Sequence, residues 1–249
     1  MKLLIHQLRG EQRLFWRSRE LAFFTFLLPI VFFVLLGSVY GKDKIEGVKG
    51  SKYMLGGMLG YGVAATAFAG LAITLVVRRE SGVLKRLRAT PLSPWAYVLG
   101  VLGSTLFVYA LEAVALIAIG RVLFGVPVPH HLFSLALTLI LGTVAFAAMG
   151  LAMTTVVRSA EGSSAVVNAI YLPMAFISGS FFSPHSFPQF LRAIADVLPL
   201  TYFIRLVRDV TLRGHEIWSR PSSVAVVAAW GAAGALLALR GFRWEPREG

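Results

Sequence analysis

Six long apolar runs constrain the fold of this chain more than any other feature. Each is about as long as the roughly 20-residue helix that crosses the hydrocarbon core of a bilayer. The runs lie at residues 21–40, 53–77, 97–124, 132–157, 165–182 and 223–239. A single run can satisfy its own backbone hydrogen bonds in lipid only as a helix. The sequence therefore predicts an all-α membrane protein, one domain over residues 1–249 with six transmembrane helices.

The composition also argues against an ordinary soluble domain. Only 14% of the residues are charged and 57% are hydrophobic, whereas soluble domains carry about 25% charged residues. The formal net charge is +12, and the basic residues cluster at the ends of the apolar runs. This placement favours anionic lipid headgroups over nucleic acid as their partner. The chain has no cysteine, which excludes disulfides and thiolate metal sites.

Motifs of catalysis are missing from the sequence. There is no G-x-x-x-x-G-K-[ST] phosphate-binding loop, no H-E-x-x-H zinc motif and no G-x-S-x-G nucleophile motif. The adjacent His130 and His131 would point apart on a regular element, so a metal site is not expected there. The sequence predicts a chain that is not an enzyme and holds no cofactor of its own.

Basic residues predict the orientation of the spans. Six spans place both termini on one side, together with the short segment after span two. The basic residues on this side are Lys2, Arg9, Arg13, Arg17, Arg19, Arg78, Arg79, Lys85, Arg86, Arg88, Arg158, Arg240, Arg243 and Arg247. The other side holds a smaller group, Lys42, Lys44, Lys49 and Lys52, and a mixed-charge stretch before span six. Because lysine and arginine accumulate in cytoplasmic loops, both termini are predicted to be cytoplasmic.

The first 20 residues form a basic leader. Leu4, Leu8 and Phe15 fall near one helical stripe, which Gly10 and Glu11 interrupt. An amphipathic helix in the headgroup layer and a basic anchor that only fixes topology both fit this pattern. The apolar run that follows is longer than the roughly 7–15 residues of a signal-peptide core, which favours a retained helix over a cleaved signal.

A short polar segment, RRESGVLKRLRATPLSPW at residues 78–95, separates spans two and three. Val83, Leu84 and Leu87 share one side of a helical wheel, and Pro91 and Pro94 end the helix. The pattern predicts a short amphipathic helix at the cytoplasmic surface, tied closely to both spans. A loop that serves only as a positive-inside signal is the alternative.

Span two carries small residues at a spacing of four. Gly56 and Gly60 form one such pair, and Gly62, Thr66 and Gly70 continue the pattern. This spacing lets helices pack closely in lipid, either within one chain or between subunits.

Glu112 lies deep in span three. An ionisable residue at that depth is costly and usually faces a cavity or a partner. A place on a substrate path, a proton relay and a hydrogen bond to a neighbouring helix all fit this position.

Residues 183–213, between spans five and six, are too polar for one span but keep long apolar pieces. Pro184, Pro188 and Pro199 divide the stretch. The pattern predicts two short helices, at 188–197 and 201–212, that re-enter the outer side of the helix bundle. Surrounding protein or water would then satisfy the non-helical backbone between them.

Two motifs and the overall layout resemble the membrane permease subunits of type-2 ABC exporters, the drug-resistance and polysaccharide-export class. The first motif is RRESGVLKRLRATPLSPWAYVLG, which has the family's acidic residue, glycine, leucine, basic residues and Thr-Pro-Leu-Ser, with Val83 where a threonine is expected. The second is PMAFISGSFFSPHSFPQFLRAIADVLPLTY, with its Pro, Ser-Gly, aromatic pair, Pro and Leu-Pro-Leu-Thr-Tyr. The resemblance covers essentially the whole chain.

This resemblance implies an assembly and a set of functional residues. Two permease chains, as a homodimer or a heterodimer, would form the pathway, and two ATPase subunits that bind ATP and Mg would dock beneath them. The residues implied in coupling to the ATPase, within a coupling helix at 80–92, are Glu80, Gly82, Leu84, Lys85, Arg86, Leu87, Arg88, Thr90 and Pro91. The residues implied in an outer gate are Ser178, Gly179, Phe181, Phe182, Pro184, Pro199, Thr201 and Tyr202.

The function that the resemblance implies is ATP-driven export of a hydrophobic drug, antibiotic or lipid-like substrate across a bacterial or archaeal plasma membrane. Drug efflux and antibiotic resistance would be the corresponding roles. The alternative is an ATP-independent, proton-coupled carrier that uses Glu112.

Overall fold

The computed structural model describes residues 2–246, which form helices joined by short turns and one small hairpin. The α-helices are α1 (Lys2–Arg17), α2 (Arg19–Tyr40), α3 (Gly50–Val63), α4 (Leu71–Glu80), α5 (Val83–Arg88), α6 (Pro94–Phe124), α7 (Leu132–Val156), α8 (Ala160–Ile177), α9 (Gln189–Ala195), α10 (Pro199–Leu212) and α11 (Pro221–Gly241). The hairpin strands are β1 (Lys44–Ile45) and β2 (Val48–Lys49). The all-α membrane class is confirmed; Met1 and Arg247 of the predicted leader and tail lie outside the described residues.

Five helical segments in residues 2–246 are long and apolar enough to cross a membrane. They are Arg19–Tyr40, Gly50–Glu80, Pro94–Phe124, Leu132–Val156 and Pro221–Gly241. The run predicted as span five, 165–182, is different because its helix occupies Ala160–Ile177 and the chain then turns at Gly179, where φ is +94°. This helix carries Glu161 and Asn168 in its first half, which lowers its hydropathy.

The second span is the central helix of the fold. It runs from Gly50 to Glu80 without a break, through α3, a π-helical segment (Ala64–Gly70) and α4. Nearly every residue of α3 is buried, so neighbouring helices enclose it on all sides. In the π-helical segment the Thr66 hydroxyl donates a hydrogen bond to the Gly62 carbonyl at 2.7 Å. Such segments interrupt α-helices rarely and often lie near functional sites.

The small residues of span two serve packing within this chain. A Cβ atom at Gly56 would lie 2.5 Å from Cγ of Arg208, and one at Gly60 would overlap Ile204; both partners belong to α10. A Cβ atom at Gly62 would overlap the Glu112 carboxylate on α6. Of the two interpretations of the spacing, the structure therefore supports close approach between helices of one chain.

The leader is a helix packed on span three. A Cβ atom at Gly100 would lie 2.5 Å from Cγ of Gln7, and one at Gly103 would lie 2.9 Å from Leu8. The Gln12 side-chain amide donates hydrogen bonds to the Ser104 hydroxyl at 2.8 Å and to its carbonyl at 3.1 Å. Helix α1 is therefore held against α6 by specific contacts, which a basic anchor alone would not require.

A two-stranded hairpin follows α2, where the sequence patterns gave no strand. Lys44 pairs with Lys49, and Ile45 pairs with Val48. The two turn residues, Glu46 and Gly47, have φ values of +49° and +78°, as in the type I′ turns that suit tight hairpins.

Candidate coupling surface and outer gate

The segment predicted as a coupling helix folds as a turn followed by α5. Helix α4 ends at Glu80, and Gly82 takes a left-handed conformation with φ of +71°, which glycine adopts at no steric cost. The Gly82 carbonyl then accepts a hydrogen bond from the Arg86 amide at 3.1 Å, so the residue joins two helices. The predicted role of Gly82 thus has a local structural basis in this turn.

The apolar and polar sides of α5 face different surroundings. Leu84 is fully buried in the chain's own core and Leu87 is half-buried, so they anchor the helix to this chain rather than offer an outward apolar face. Val83 is 38% exposed. The side available to a partner is basic and polar, and consists of Lys85, Arg86, Arg88, Ala89, Thr90 and Pro91.

The Thr-Pro-Leu-Ser stretch shapes the return to span three. The Thr90 hydroxyl donates a hydrogen bond to the Leu87 carbonyl at 2.7 Å and so closes the end of α5. The Ser93 hydroxyl accepts a hydrogen bond from the Ala96 amide at 3.2 Å and caps α6, with Pro94 in the first helical position. These contacts keep the link between α5 and span three short and rigid.

Arg79 anchors the base of α5 to the end of α7. Its guanidinium is almost completely buried and donates hydrogen bonds to the carbonyls of Thr154 at 2.6 Å and Val157 at 2.8 Å. These carbonyls belong to the last turn of α7, where helical partners are lacking. The Arg79 Nε also pairs with Glu80 at 2.6 Å. Glu80, predicted as a coupling residue, is therefore the counter-ion of a buried arginine.

Arg78 anchors the same base to the leader helix. Its two terminal nitrogens each donate to one Glu11 oxygen at 2.8 Å, and one also donates to the Tyr97 hydroxyl at 3.1 Å. Glu11 in turn accepts a hydrogen bond from Gln7 at 2.8 Å. Bidentate arginine–carboxylate pairs of this kind are strong and directional. The leader, span two and span three thus meet at one partly buried ion pair.

Sequence reasoning missed this pair because it took Glu11 as an interruption of the leader's apolar stripe. Glu11 follows Leu8 by three residues and precedes Phe15 by four, so all three share one face of α1. A carboxylate on an otherwise apolar face signals a buried partner, and the structure supplies Arg78.

A double-mutant cycle should detect strong coupling between these two residues. We expect Glu11→Gln and Arg78→Gln to destabilise the purified chain singly, and the double variant to cost less than the sum of both. The expected coupling is about 1–3 kcal/mol, because each single change leaves the other charge partly buried and unpaired. Thermal unfolding of the four proteins would measure it. Simple additivity would contradict the assigned pairing.

The predicted outer-gate residues gather around the turn after α8. Ser178, Gly179 and Phe181 are buried, whereas Phe182 is 43% exposed. The ring of Phe181 contacts Phe32 on α2, with centroids 5.3 Å apart, and Tyr61 on α3, with centroids 5.4 Å apart. The turn is therefore wedged into the bundle between three helices.

Arg208 on α10 holds this turn in place. Its Nη2 donates a hydrogen bond to the Gly179 carbonyl at 2.6 Å, and its guanidinium lies over the Tyr53 ring, 3.4 Å from the centroid. The side chain is buried, so the cation–π contact is made out of water, where it is strongest. This residue, which the sequence analysis did not select, links α3, α10 and the turn.

The other predicted gate residues shape the outer helices. Pro184 begins a short 3₁₀ turn, and Pro199 occupies the first position of α10. Thr201 is buried, and the Tyr202 hydroxyl donates a hydrogen bond to the Asp196 carbonyl at 2.7 Å. In the stretch where the sequence predicts helices at 188–197 and 201–212, the structure has α9 and α10, and their re-entrant role stays a prediction.

Glu112 lies in the centre of the fold, between α6 and α3. It is fully buried, and within residues 2–246 neither carboxylate oxygen has a hydrogen-bond partner. It adjoins Gly62 and lies within electrostatic range of Tyr61, Tyr109 and Tyr171. The Tyr109 hydroxyl is directed elsewhere, to the Leu59 carbonyl at 2.7 Å. The sequence left three roles open for Glu112. In residues 2–246 its carboxylate makes no hydrogen bond to a neighbouring helix, so that role is not supported.

Comparison with known proteins places this architecture among transport permeases. The chain is 26% identical over 162 residues to the inner membrane transport permease YhhJ of Escherichia coli K12, a match that covers 64% of this chain and 43% of YhhJ. It is 26% identical over 156 residues to the probable multidrug ABC transporter permease YbhS of the same strain, covering 61% and 41% of the two chains. The chain thus spans less than half of either relative.

Another relative matches this chain over most of the length of both proteins, and a family model matches most of the chain. The putative transport permease YvfS of Bacillus subtilis 168 is 20% identical over 219 residues, which cover 88% of this chain and 89% of YvfS. A model of the ABC-2 type transporter family matches residues 3–212 and so includes both surfaces described above. The chain belongs to the ABC-2 type transporter family as one of its membrane permeases.

Proposed function

We propose that this chain is the permease subunit of an ATP-driven exporter. Two copies, or one copy and a related chain, would form the pathway in a bacterial or archaeal plasma membrane. Two separate ATPase subunits, which bind ATP and Mg, would dock on the cytoplasmic side, where both termini also lie. The substrate would be a hydrophobic drug, antibiotic or lipid-like molecule, and the similarity to YbhS, a probable multidrug ABC transporter permease, favours a drug and a role in drug efflux.

The observation that carries this proposal is the anchoring of α5. Its exposed side is basic, and its base is fixed by Arg78 to α1 and by Arg79 to α7. A force applied to α5 by a partner is therefore passed to three elements of the membrane domain at once. An ordinary positive-inside loop does not require one buried and one partly buried arginine, hydrogen-bonded to backbone carbonyls and to a carboxylate. The anchoring favours a mechanical role over a topological signal.

In this mechanism, nucleotide binding closes the ATPase pair and moves both coupling helices. The membrane domains then shift between inward- and outward-facing states, and the free energy comes from the different nucleotide affinities of those states. On the outer side, the turn at 178–182 and helices α9 and α10 would form the gate, with Arg208 as the contact that must be released for opening.

Charge reversal on α5 tests the proposal. We expect Lys85→Glu/Arg86→Glu to reduce co-purification with the partner ATPase subunit by about tenfold or more, because like charges placed in an interface are strongly unfavourable. Both side chains are exposed, so the permease itself should fold and insert. The matched control is Lys42→Glu/Arg121→Glu, the same charge change at exposed outer positions. Equal effects of the two variants would refute the docking role.

A second candidate function rests on the unpartnered carboxyl of Glu112. A proton-coupled carrier needs a buried group that can gain and lose a proton, and Glu112 is such a group. Proteoliposomes that contain this chain alone separate the two functions. A carrier would transport in response to a pH gradient, and Glu112→Gln would abolish that transport since an amide cannot release a proton. For the exporter we expect no transport without ATPase and nucleotide.

A further inference from the structure

A basic cleft opens at the outer end of the helix bundle, away from α5. The hairpin and the first turn of α3 form one wall, and the end of α6 with the turn after it forms the other. Its volume is about 380 Å³. The first wall contributes Lys44, Lys49 and Lys52, and the second contributes Phe124, Val126 and Pro127. The cleft therefore joins a positively charged wall to an apolar one.

The positive charge of this cleft is not neutralised by the protein. In the part of the chain that the structure describes, none of the ion pairs involves Lys44, Lys49 or Lys52. The Glu46 carboxylate at the hairpin turn is engaged elsewhere, by the hydroxyls of Tyr53 at 3.1 Å and Ser183 at 2.6 Å. These two contacts also fix the hairpin, so the lysines are presented on a rigid support.

A hydroxyl donor adds to the lysines. The first backbone amides of α3 are already used within the chain, because Gly50 donates to the Asp43 carbonyl at 2.8 Å and Ser51 donates to the Gly41 carbonyl at 3.4 Å. Ser51 in this first turn lines the cleft and is only 4% exposed. Its hydroxyl makes no hydrogen bond with any other described residue, which leaves a nearly buried donor at the cleft.

The cleft lies next to surfaces suited to lipid. Val122 and Leu123, at the end of α6, are 79% and 58% exposed, and Val39, at the end of α2, is 68% exposed. In a membrane protein these side chains face acyl chains, so the cleft sits near headgroup depth. Lysines on the outer side also oppose the usual orientation signal. Their concentration here calls for an anionic partner.

We propose that this cleft binds the phosphate group of an anionic phospholipid in the outer leaflet. Lys44, Lys49 and the Ser51 hydroxyl hold the phosphate. The apolar wall and the exposed ends of α2 and α6 hold the adjoining part of the lipid.

Native mass spectrometry of the full chain in detergent, titrated with phosphatidylglycerol or phosphatidylcholine, tests the site. We expect the first phosphatidylglycerol to bind at least about tenfold more tightly than phosphatidylcholine. Lys44→Gln/Lys49→Gln should weaken phosphatidylglycerol binding about 30-fold, since each lysine near an anionic headgroup contributes roughly a fivefold factor. Lys44→Arg/Lys49→Arg keeps both charges and should stay within about threefold of the unchanged chain.

The matched control is Lys42→Gln/Arg121→Gln, which removes the same charge from exposed outer positions beside the cleft and should weaken binding by less than about threefold. Equal weakening by the two glutamine variants would mean diffuse attraction and would overturn the site. Unchanged binding in Lys44→Gln/Lys49→Gln would do the same. If inorganic phosphate at equal concentration displaced the lipid, the ligand would be a soluble anion and the lipid assignment would be wrong.

Discussion

Arg79→Ala is expected to lower the thermal unfolding midpoint of the purified chain by about 6–20 °C. The change leaves the carbonyls of Thr154 and Val157 without their donor and leaves Glu80 without its counter-ion. Breaking a buried charge network by removing one partner costs about 3–5 kcal/mol. For a chain of this size each kcal/mol corresponds to roughly 2–4 °C. Transport should fall as well, because α5 would no longer be fixed to α7.

The matched control for Arg79 lies seven residues further on. Arg86→Ala removes the same charge from an exposed position on α5 and should shift the midpoint by less than about 2 °C. Arg79→Lys keeps the charge, but lysine has one side-chain nitrogen whereas Arg79 donates from three. We therefore expect a decrease in the midpoint between those of the two alanine variants. A midpoint for Arg79→Ala that matched Arg86→Ala would show that Arg79 does not secure the end of α7.

Gly57→Ala should be the most disruptive single-methyl change in span two. A Cβ atom there would overlap the Ser180 backbone carbonyl, and a main-chain atom cannot rotate away as a side chain can. We expect a loss of about 3 kcal/mol, at the upper end for overpacking, and a midpoint lower by roughly 6–12 °C. Because Ser180 belongs to the turn wedged between α3 and α10, the same change should also impair transport.

Gly10→Ala is a comparison variant for which we expect a change in stability of the opposite sign. Gly10 lies inside α1, and a Cβ atom there would have no neighbour within 4 Å. Alanine favours the helix over glycine by up to about 1 kcal/mol, so this variant should be slightly more stable than the unchanged chain. If Gly57→Ala were as harmless as Gly10→Ala, the close approach of α3 to the 178–181 turn would be disproved.

The features that the sequence predicted correctly are those with a local signal. The apolar runs, the helix at 83–88 and the paired helices α9 and α10 depend on residues that are neighbours in the chain. The Gly56–Gly60 spacing likewise pointed to tight packing, and the structure added which residues fill the space. The run predicted at 165–182 extends five residues beyond the end of α8, because the aromatic pair Phe181 and Phe182 after the turn at Gly179 resembles more of the same span.

The features that were missed depend on contacts between distant parts of the chain. Glu11 and Arg78 are 67 residues apart, and Arg79 and Thr154 are 75 apart. Patterns of period 3.6 give no information on such pairs. They identify Arg78 and Arg79 only as positive charges near a membrane surface. Leu84 shows the same limit, since a helical wheel gives its side of α5 but not whether this chain or a partner covers that side.

The π-helical segment at Ala64–Gly70 has a consequence for the register of the central helix. It fits more residues into each turn than an α-helix does, so everything after it is rotated about the helix axis. Forcing these seven residues into α geometry with none removed would swing the half of the helix that carries Arg78 and Arg79 by roughly 100°, the angle per residue of an α-helix. Arg78 and Arg79 would then point away from Glu11 and α7, while α3 kept its orientation. The π-helical segment, which ends about two helical turns before Arg78, thus determines the direction in which both arginines point.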